Sequence, residues 1–301
     1  MSEMKSYSPL RWLGALLWAV ATLFSAHAQA VTITAVADFG PSVDVYSAFG
    51  TGSQTGTSGT VNAGYSEQDG GLFANVRGNT EGAFEAYTSA RSWVGVAYAP
   101  DSNNFSATAS FRWEDTITNS GAASQAYVYN LNLAPGYLGT NEEGAVTEPS
   151  TSIYARYLLD VLVNGVSVWS SSVEVGRSPA GTTQSQSGAS IGGAFGTFTP
   201  FDGAAALEGY RWDAFSTAVP LGSFAPGESF TVTYNAILES GGFNSVDSGP
   251  LNNYVSVATF RDPAGLGSIP ASQVSPVPLP AAIWLFGAGM LSLAGVARHR
   301  A

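Results

Sequence analysis

Residues 105–117 read FSATASFRWEDTI, and this stretch decides the class of fold. The odd-numbered positions are mostly apolar: Phe105, Ala107, Ala109, Phe111, Trp113 and Ile117. The even-numbered positions from 106 to 114 hold only Ser, Thr, Arg and Glu. Because successive side chains of a β-strand point to opposite faces of a sheet, this alternation predicts a strand with one face in a core and the other in water.

Similar runs recur along the chain and predict further strands. We expect them at 31–37, 125–133, 154–163, 166–175, within 212–221, at 229–238 and 253–260, and two or three short ones between 71 and 99. Asn164-Gly165 is typical of a type I′ hairpin turn, and Ala225-Pro226-Gly227-Glu228 of a tight turn. The Gly-, Ser- and Thr-rich segments 50–64 and 178–193 are expected to be loops. Roughly ten short strands without an amphipathic helix predict an all-β protein, a β-sandwich of jelly-roll type.

The composition of residues 31–275 limits the chemistry that the protein can perform. This region contains no His, Lys, Cys or Met, and its seven arginines and 21 acidic residues leave a formal charge of −14. Such a surface repels phosphate backbones, so we expect no nucleic-acid partner. Ser-His-Asp, Ser-Lys and thiol catalysis are excluded, and zinc, iron and copper lack their usual ligands. We therefore expect neither an enzyme nor a bound cofactor.

Acidic residues leave two further alternatives open. A glycoside hydrolase needs two carboxylates that face each other across a cleft. Glu114 and Asp115 are neighbours on a predicted strand and should point to opposite faces, whereas Glu142, Glu143 and Glu148 lie in a polar segment expected to be a solvated loop. A carboxylate-based hydrolase is thus the third of our functional hypotheses. A structural calcium ion on oxygen ligands is conceivable in an acidic β-protein, although no EF-hand loop is present and no ligands can be named.

Tryptophans provide the second functional hypothesis, a carbohydrate-binding module for exopolysaccharide. Trp93, Trp169 and Trp212 are candidates for a platform on which sugar rings stack. Trp113 shares the apolar face of the 105–117 strand, and we expect it to pack in the core instead.

The N-terminus has the pattern of a secretory signal peptide, which we assign to residues 1–30. Lys5 and Arg11 precede an apolar run at 12–24. Two overlapping sites with small residues follow, Ala26-His27-Ala28 and Ala28-Gln29-Ala30, and cleavage is expected at one of them. The body, residues 31–262, is then expected outside the inner membrane.

The C-terminus combines three features in a fixed order. After a Gly-, Pro- and Ser-rich segment at 263–276, expected to be a flexible linker, comes the motif Val277-Pro278-Leu279-Pro280-Ala281. The uncharged run 281–297 reaches about 25 Å as a helix, which predicts a short transmembrane span. Arg298 and Arg300 should hold its end on the cytoplasmic side.

This arrangement resembles the sorting signal of PEP-CTERM proteins of Gram-negative bacteria, in its VPLPA variant. The body is more loosely similar to those of the same family, through Tyr157-Leu158-Leu159-Asp160, the Asn164-Gly165 hairpin and the Pro226-Gly227-Glu228 turn. The resemblance implies processing by signal peptidase and by an exosortase, from an inner-membrane-anchored precursor to the cell surface or the extracellular space. Our first hypothesis is therefore an exported structural protein of the cell surface or extracellular matrix, without catalytic activity.

Overall fold

The computed structural model describes residues 28–38, 50–56, 60–66, 72–79, 84–92, 103–143, 152–178, 180–199, 206–244, 253–262 and 273–277. These residues form strands, turns and short connections, and no helix. The predicted all-β class is therefore confirmed. Residues 1–27 of the predicted signal peptide and the predicted helix at 281–297 lie outside the described residues. Within them, no helix long and apolar enough to cross a membrane was found.

Seventeen strands are present in the described ranges. They are β1 (Ala28–Asp38), β2 (Gly50–Gly56), β3 (Thr60–Ser66), β4 (Leu72–Asn79), β5 (Phe84–Ser92), β6 (Asn103–Thr118), β7 (Gln125–Leu133), β8 (Gly136–Glu143), β9 (Ser152–Val163), β10 (Val166–Ser178), β11 (Gly181–Gly188), β12 (Ala194–Phe198), β13 (Leu207–Trp212), β14 (Phe215–Phe224), β15 (Ser229–Asn244), β16 (Asn253–Asp262) and β17 (Gln273–Pro276).

The strands form three sheets, and the pairs within them are antiparallel. The first sheet has the order β11-β10-β9-β15-β6-β1-β2, the second β12-β13-β8-β16-β5-β4-β3 and the third β14-β7-β17. At the centre of the first sheet, β6 and β15 pair over 16 residues each. Residues 105–117, the stretch with the clearest alternation in the sequence, therefore lie in β6 at the centre of this sheet.

One continuous core joins the three sheets. Phe84 of the second sheet stacks on Phe111 of the first, with ring centroids 4.6 Å apart. Trp113 of the first sheet meets Tyr129 of the third at 6.0 Å. These contacts place the first sheet against both of the others, an arrangement consistent with a β-sandwich.

The predicted alternation of β6 is confirmed. Five of its six expected core side chains are buried, Ala107, Ala109, Phe111, Trp113 and Ile117. The side chain of Phe105 lies outside the described residues. Asp115, which occupies an odd-numbered position, is also buried. The prediction that Glu114 and Asp115 point to opposite faces is confirmed as well, since Glu114 retains an accessible side chain.

The two segments expected to be loops were wrongly assigned. Residues 50–64 contribute β2 and part of β3, and 178–193 contain β11. Each of these three strands lies at the edge of its sheet. An edge strand is held by backbone hydrogen bonds on one side and needs few apolar side chains, so Gly, Ser and Thr do not reveal it in the sequence. The count of about ten strands was too low because these edge strands were missed, and so were β8 and β13, which lie inside the second sheet.

The predicted turns are confirmed. Asn164 and Gly165 have φ angles of 50° and 79°, as a type I′ turn requires at both positions. Gly227 has a φ of 77°, and the Glu228 N–H donates to the Ala225 carbonyl at 3.0 Å. These two turns therefore determine where β10 and β15 begin.

Candidate functional site

The solvent-facing side of the first sheet carries a shallow cleft of about 370 Å³. It is built from β9, β10, β11 and β15. The registers place one row of side chains directly across these strands: Ser185, Glu174, Arg156 and Glu239. Because facing residues of neighbouring strands lie on the same side of a sheet, this row forms a continuous polar band.

Arg156 is the centre of the band. Its Nη2 lies 2.7 Å from Glu239 Oε2, and its Nη1 lies 3.6 Å from Glu174 Oε2. The Tyr154 hydroxyl donates to Glu239, and the guanidinium lies 5.4 Å from the centre of the Tyr154 ring. Glu239 is the most buried carboxylate of the group, with a side chain 15% exposed against 45% for Glu174. Glu174 is therefore the carboxylate that a ligand can reach.

The surroundings of Tyr154 determine the protonation state of its hydroxyl group. Burial raises the pKa of the Tyr154 hydroxyl, and the hydrogen bond to Glu239 raises it further. The hydroxyl therefore remains a protonated donor across the physiological range.

An apolar shelf borders this band. Leu158, which is 45% exposed, faces Ile237 in the register between β9 and β15. On the other side of Leu158 lies Ser172, whose hydroxyl is 2.7 Å from that of Ser187. The cleft thus offers a carboxylate, a guanidinium, hydroxyls and aliphatic surface, which suit a ligand rich in hydroxyl groups.

Of the three tryptophans expected to form a platform, Trp212 is excluded by its burial. Trp212 is 1% exposed, and its Nε1 donates to the Ala134 carbonyl at 3.0 Å. Its assignment to sugar stacking is therefore corrected, because a buried ring cannot receive a sugar. Trp169 is partly buried against the core and keeps some accessible surface. Trp93 lies outside the described residues, and Trp113 is buried as expected.

Among the described residues, the candidate carboxylates of the hydrolase hypothesis do not form a facing pair. Glu114 pairs with Arg112 at 2.7 Å on the solvent face, whereas Asp115 lies on the core face. Glu142 and Glu143 belong to β8, so the expected loop is a strand there, and Glu148 lies outside the described residues. Among the described residues, no group of three or more His, Cys, Asp or Glu is placed to hold a metal ion.

Residues of both predicted processing regions belong to the described strands or adjoin them. Ala28 and Ala30 lie in β1, where they face Thr116 and Glu114 of β6, and Ala26 lies outside the described residues. The expected flexible linker at 263–276 ends in a strand, because β17 pairs with β7. Val277, the first residue of the predicted sorting motif, continues this contact.

Two hydrogen bonds hold Val277 on the body. Its N–H donates to the Ala126 carbonyl at 2.8 Å, and Gln125 Nε2 donates to its carbonyl at 2.7 Å. Pro278, Leu279, Pro280 and Ala281, with the basic residues Arg298 and Arg300, lie outside the described residues.

The sequence analysis missed the cleft. Its row is contributed by four strands that are separated along the chain, so no local pattern brings the residues together. The available signal was Arg156, one of two charged residues at outward positions of β9, the other being Asp160. No protein-family model matches this chain, and a search of curated proteins finds no similar sequence.

Proposed function

We propose that the protein is an exported structural component of the cell surface or extracellular matrix, sorted by an exosortase through Val277–Ala281. The precursor would be a jelly-roll-like sandwich between a signal peptide and a transmembrane helix. One observation carries the proposal: β17 pairs with β7 up to Pro276, so the motif that begins at Val277 directly follows a paired strand. A membrane protease would find it immediately outside the body.

The surface supports this role. The solvent face of the first sheet is rich in hydroxyls, as in the pairs Thr118–Ser229 and Thr116–Thr231 across β6 and β15. Such a face, with a body charge of −14, keeps a secreted protein hydrated and soluble. The absence of His, Lys and Cys from 31–275 excludes the common nucleophilic mechanisms.

The proposed sorting is tested in two strains of the bacterium that produces the protein, one with the exosortase and one without it. An epitope tag inserted in the body would report the size and the cellular location of the protein. We expect a shortened protein at the surface when the exosortase is present and the full-length protein in the inner membrane when it is absent. Pro278→Ala with Pro280→Ala should prevent shortening, whereas Ser268→Ala, which precedes the motif, should not. The same size and location in both strains would refute the proposal.

A second candidate function, recognition of exopolysaccharide, is favoured by the cleft around Arg156. Its exposed carboxylate, guanidinium and aliphatic shelf can bind hydroxyls and the apolar face of a sugar. Arg156→Ala should weaken binding to polysaccharide of the source strain by about tenfold or more. Arg112→Ala is the matched control, because Arg112 is exposed on the same sheet and pairs with Glu114 instead.

Affinity electrophoresis in polysaccharide-containing gels measures this binding, with thermal unfolding to verify that both variants fold. If both variants lose polysaccharide binding equally, or if the polysaccharide does not slow the migration of the unaltered protein, the cleft is not a carbohydrate-binding site.

A further inference from the structure

We infer that one end of the body faces the lipid surface in the precursor. This proximal end consists of residues 118–125, 163–168 and 224–229, together with Val277. The inference rests on the proposed function, because it takes the segments before Ala28 and after Val277 to be membrane-directed. It adds an orientation of the body and a lipid-contacting surface.

Ala28 and Val277, which adjoin the two predicted membrane-directed segments, both lie at the proximal end. β1 begins at Ala28, which faces Thr116, two residues before the end of β6. Val277 follows β17 and binds Gln125 and Ala126 at the start of β7. Chain entry and chain exit are therefore on the same side of the molecule.

Hydrogen bonds unite the turns of the proximal end into one surface. The Asn119 N–H donates to the Glu228 carbonyl at 2.9 Å, and the Gly227 N–H donates to the Asn119 carbonyl at 2.8 Å. Asn119 Nδ2 also donates to the Phe224 carbonyl at 2.8 Å. The β9–β10 hairpin joins them, because the Asn164 N–H donates to Thr231 at 2.8 Å.

The docking of β17 keeps this end close to the bilayer. Only residues 278–280 separate docked Val277 from the predicted start of the membrane helix, a span of roughly 10–15 Å when extended. If β17 were released, residues 263–280 would form the tether and could extend to about 60 Å. The pairing of β17 with β7 thus decides whether the body stands at the membrane or away from it.

The chemistry of the proximal end suits a lipid interface. Four large apolar side chains are exposed among the described residues, and three belong to this end: Val166 at 67%, Val168 at 41% and Val277 at 36%. A register shift between Ser167 and Trp169 leaves Val168 outside the regular pairing. Segments 119–124 and 164–168 contain no charged residue in a body that is otherwise strongly acidic. Segments 119–124 and 164–168 therefore form the part of this end that suits a lipid surface, whereas the exposed Glu228 in segment 224–229 is expected to stay in water.

Site-specific fluorescence tests the orientation. The chain has no cysteine, so Val166→Cys and Ala180→Cys each introduce a single labelling site. Both positions are exposed: Val166 begins the 13-residue β10 and Ala180 lies two residues beyond its end, about 40 Å away. The labelled full-length protein is reconstituted into phosphatidylcholine vesicles whose acyl chains are brominated near the headgroup. We expect strong quenching of the label at 166 and little at 180.

A variant with a weakened β17 contact tests the role of the tether. Gln125→Ala with Asn130→Ala removes side-chain hydrogen bonds to Val277 and Ser275. In this background the quenching at 166 should fall towards the value at 180. Unchanged quenching at 166 would overturn the role assigned to β17.

The failure of this inference can be separated from failure of the proposed function. Vesicle flotation reports whether the chain inserts at all. Flotation with equal quenching at both positions, or stronger quenching at 180, overturns the orientation alone. A chain that does not float with the vesicles lacks the membrane segment, and both proposals then fall.

Discussion

The turn at Asn164-Gly165 illustrates how single residues shape this fold. Both residues have positive φ angles, in a backbone region that residues other than Gly, Asn and Asp adopt only at a cost in free energy. Asn164 also accepts the Thr231 N–H on its Oδ1 at 2.9 Å. The turn therefore closes the β9–β10 hairpin and attaches it to β15.

Gly165→Ala should lower the free energy of unfolding by about 1 kcal/mol, because the added Cβ strains a left-handed backbone. Gly196→Ala is the control. An added Cβ meets no atom within 4 Å at either position, but only Gly165 has a positive φ. Urea denaturation of both variants measures the difference, and equal effects would exclude backbone strain as the cause.

A second residue-scale property is the burial of tyrosine hydroxyls. Burial raises the pKa of Tyr157 above its ordinary value of 10.0, and it raises that of Tyr127 in the same direction. The unfolded chain therefore loses these protons first as the pH rises. Folded-state stability is complete below the ordinary pKa and declines as the pH rises above it.

Tyr157→Phe should reduce this alkaline loss of stability. Urea midpoints measured from about pH 8 to about pH 11 should fall less steeply for the variant than for the unaltered protein, because one buried hydroxyl no longer titrates. The variant also loses the 3.2 Å hydrogen bond to Ser171, which lowers its stability at neutral pH. Parallel pH profiles for the two proteins would show that Tyr157 does not contribute.

At the scale of elements, β17 converts a Pro-containing linker into part of a sheet. The Val277 N–H points to β7, so the neighbouring Pro276 nitrogen, which carries no hydrogen, is directed away from it. Val274 packs partly against the core. Proline is thus tolerated because β17 lies at the edge of the third sheet.

The Val277 amide should exchange its hydrogen slowly in the full-length protein. Asn130→Ala removes the 2.7 Å bond to Ser275 and should accelerate this exchange roughly fivefold, as expected for a loss of about 1 kcal/mol. Asn132→Ala is the matched control, because Asn132 on the same strand accepts from Ser216 of β14. Hydrogen exchange followed by mass spectrometry of the C-terminal peptide measures both. Equal acceleration would contradict local docking of β17.

At the scale of the whole molecule, a buried polar contact joins the first and second sheets. Thr88 Oγ1 and Ser240 Oγ lie 2.8 Å apart, and both residues are fully buried. A buried hydroxyl without its partner loses the hydrogen bonds that water would provide. The pair therefore favours one alignment of the two sheets.

Ser240→Ala and Thr88→Val should each cost about 1–3 kcal/mol of unfolding free energy, and the double variant should cost less than their sum by about 1 kcal/mol. Ser229→Ala should change stability by less than about 0.5 kcal/mol, since its 2.8 Å contact with Thr118 is exposed. Denaturation of the three inter-sheet variants forms a double-mutant cycle. Full additivity would mean that the two hydroxyls do not stabilise each other.

The sequence by itself determined the all-β class, the β6 core face and the Asn164 turn, because alternation and turn chemistry are local properties. Tertiary structure decided the rest. It turned the hydroxyl-rich segments of β2 and β11 into sheet edges, buried Trp212, and docked β17 on β7. It also assembled Glu174, Arg156 and Glu239 from three strands into one row. The physical reason is that backbone hydrogen bonds and strand register depend on partners far away in the chain, which local side-chain patterns do not encode.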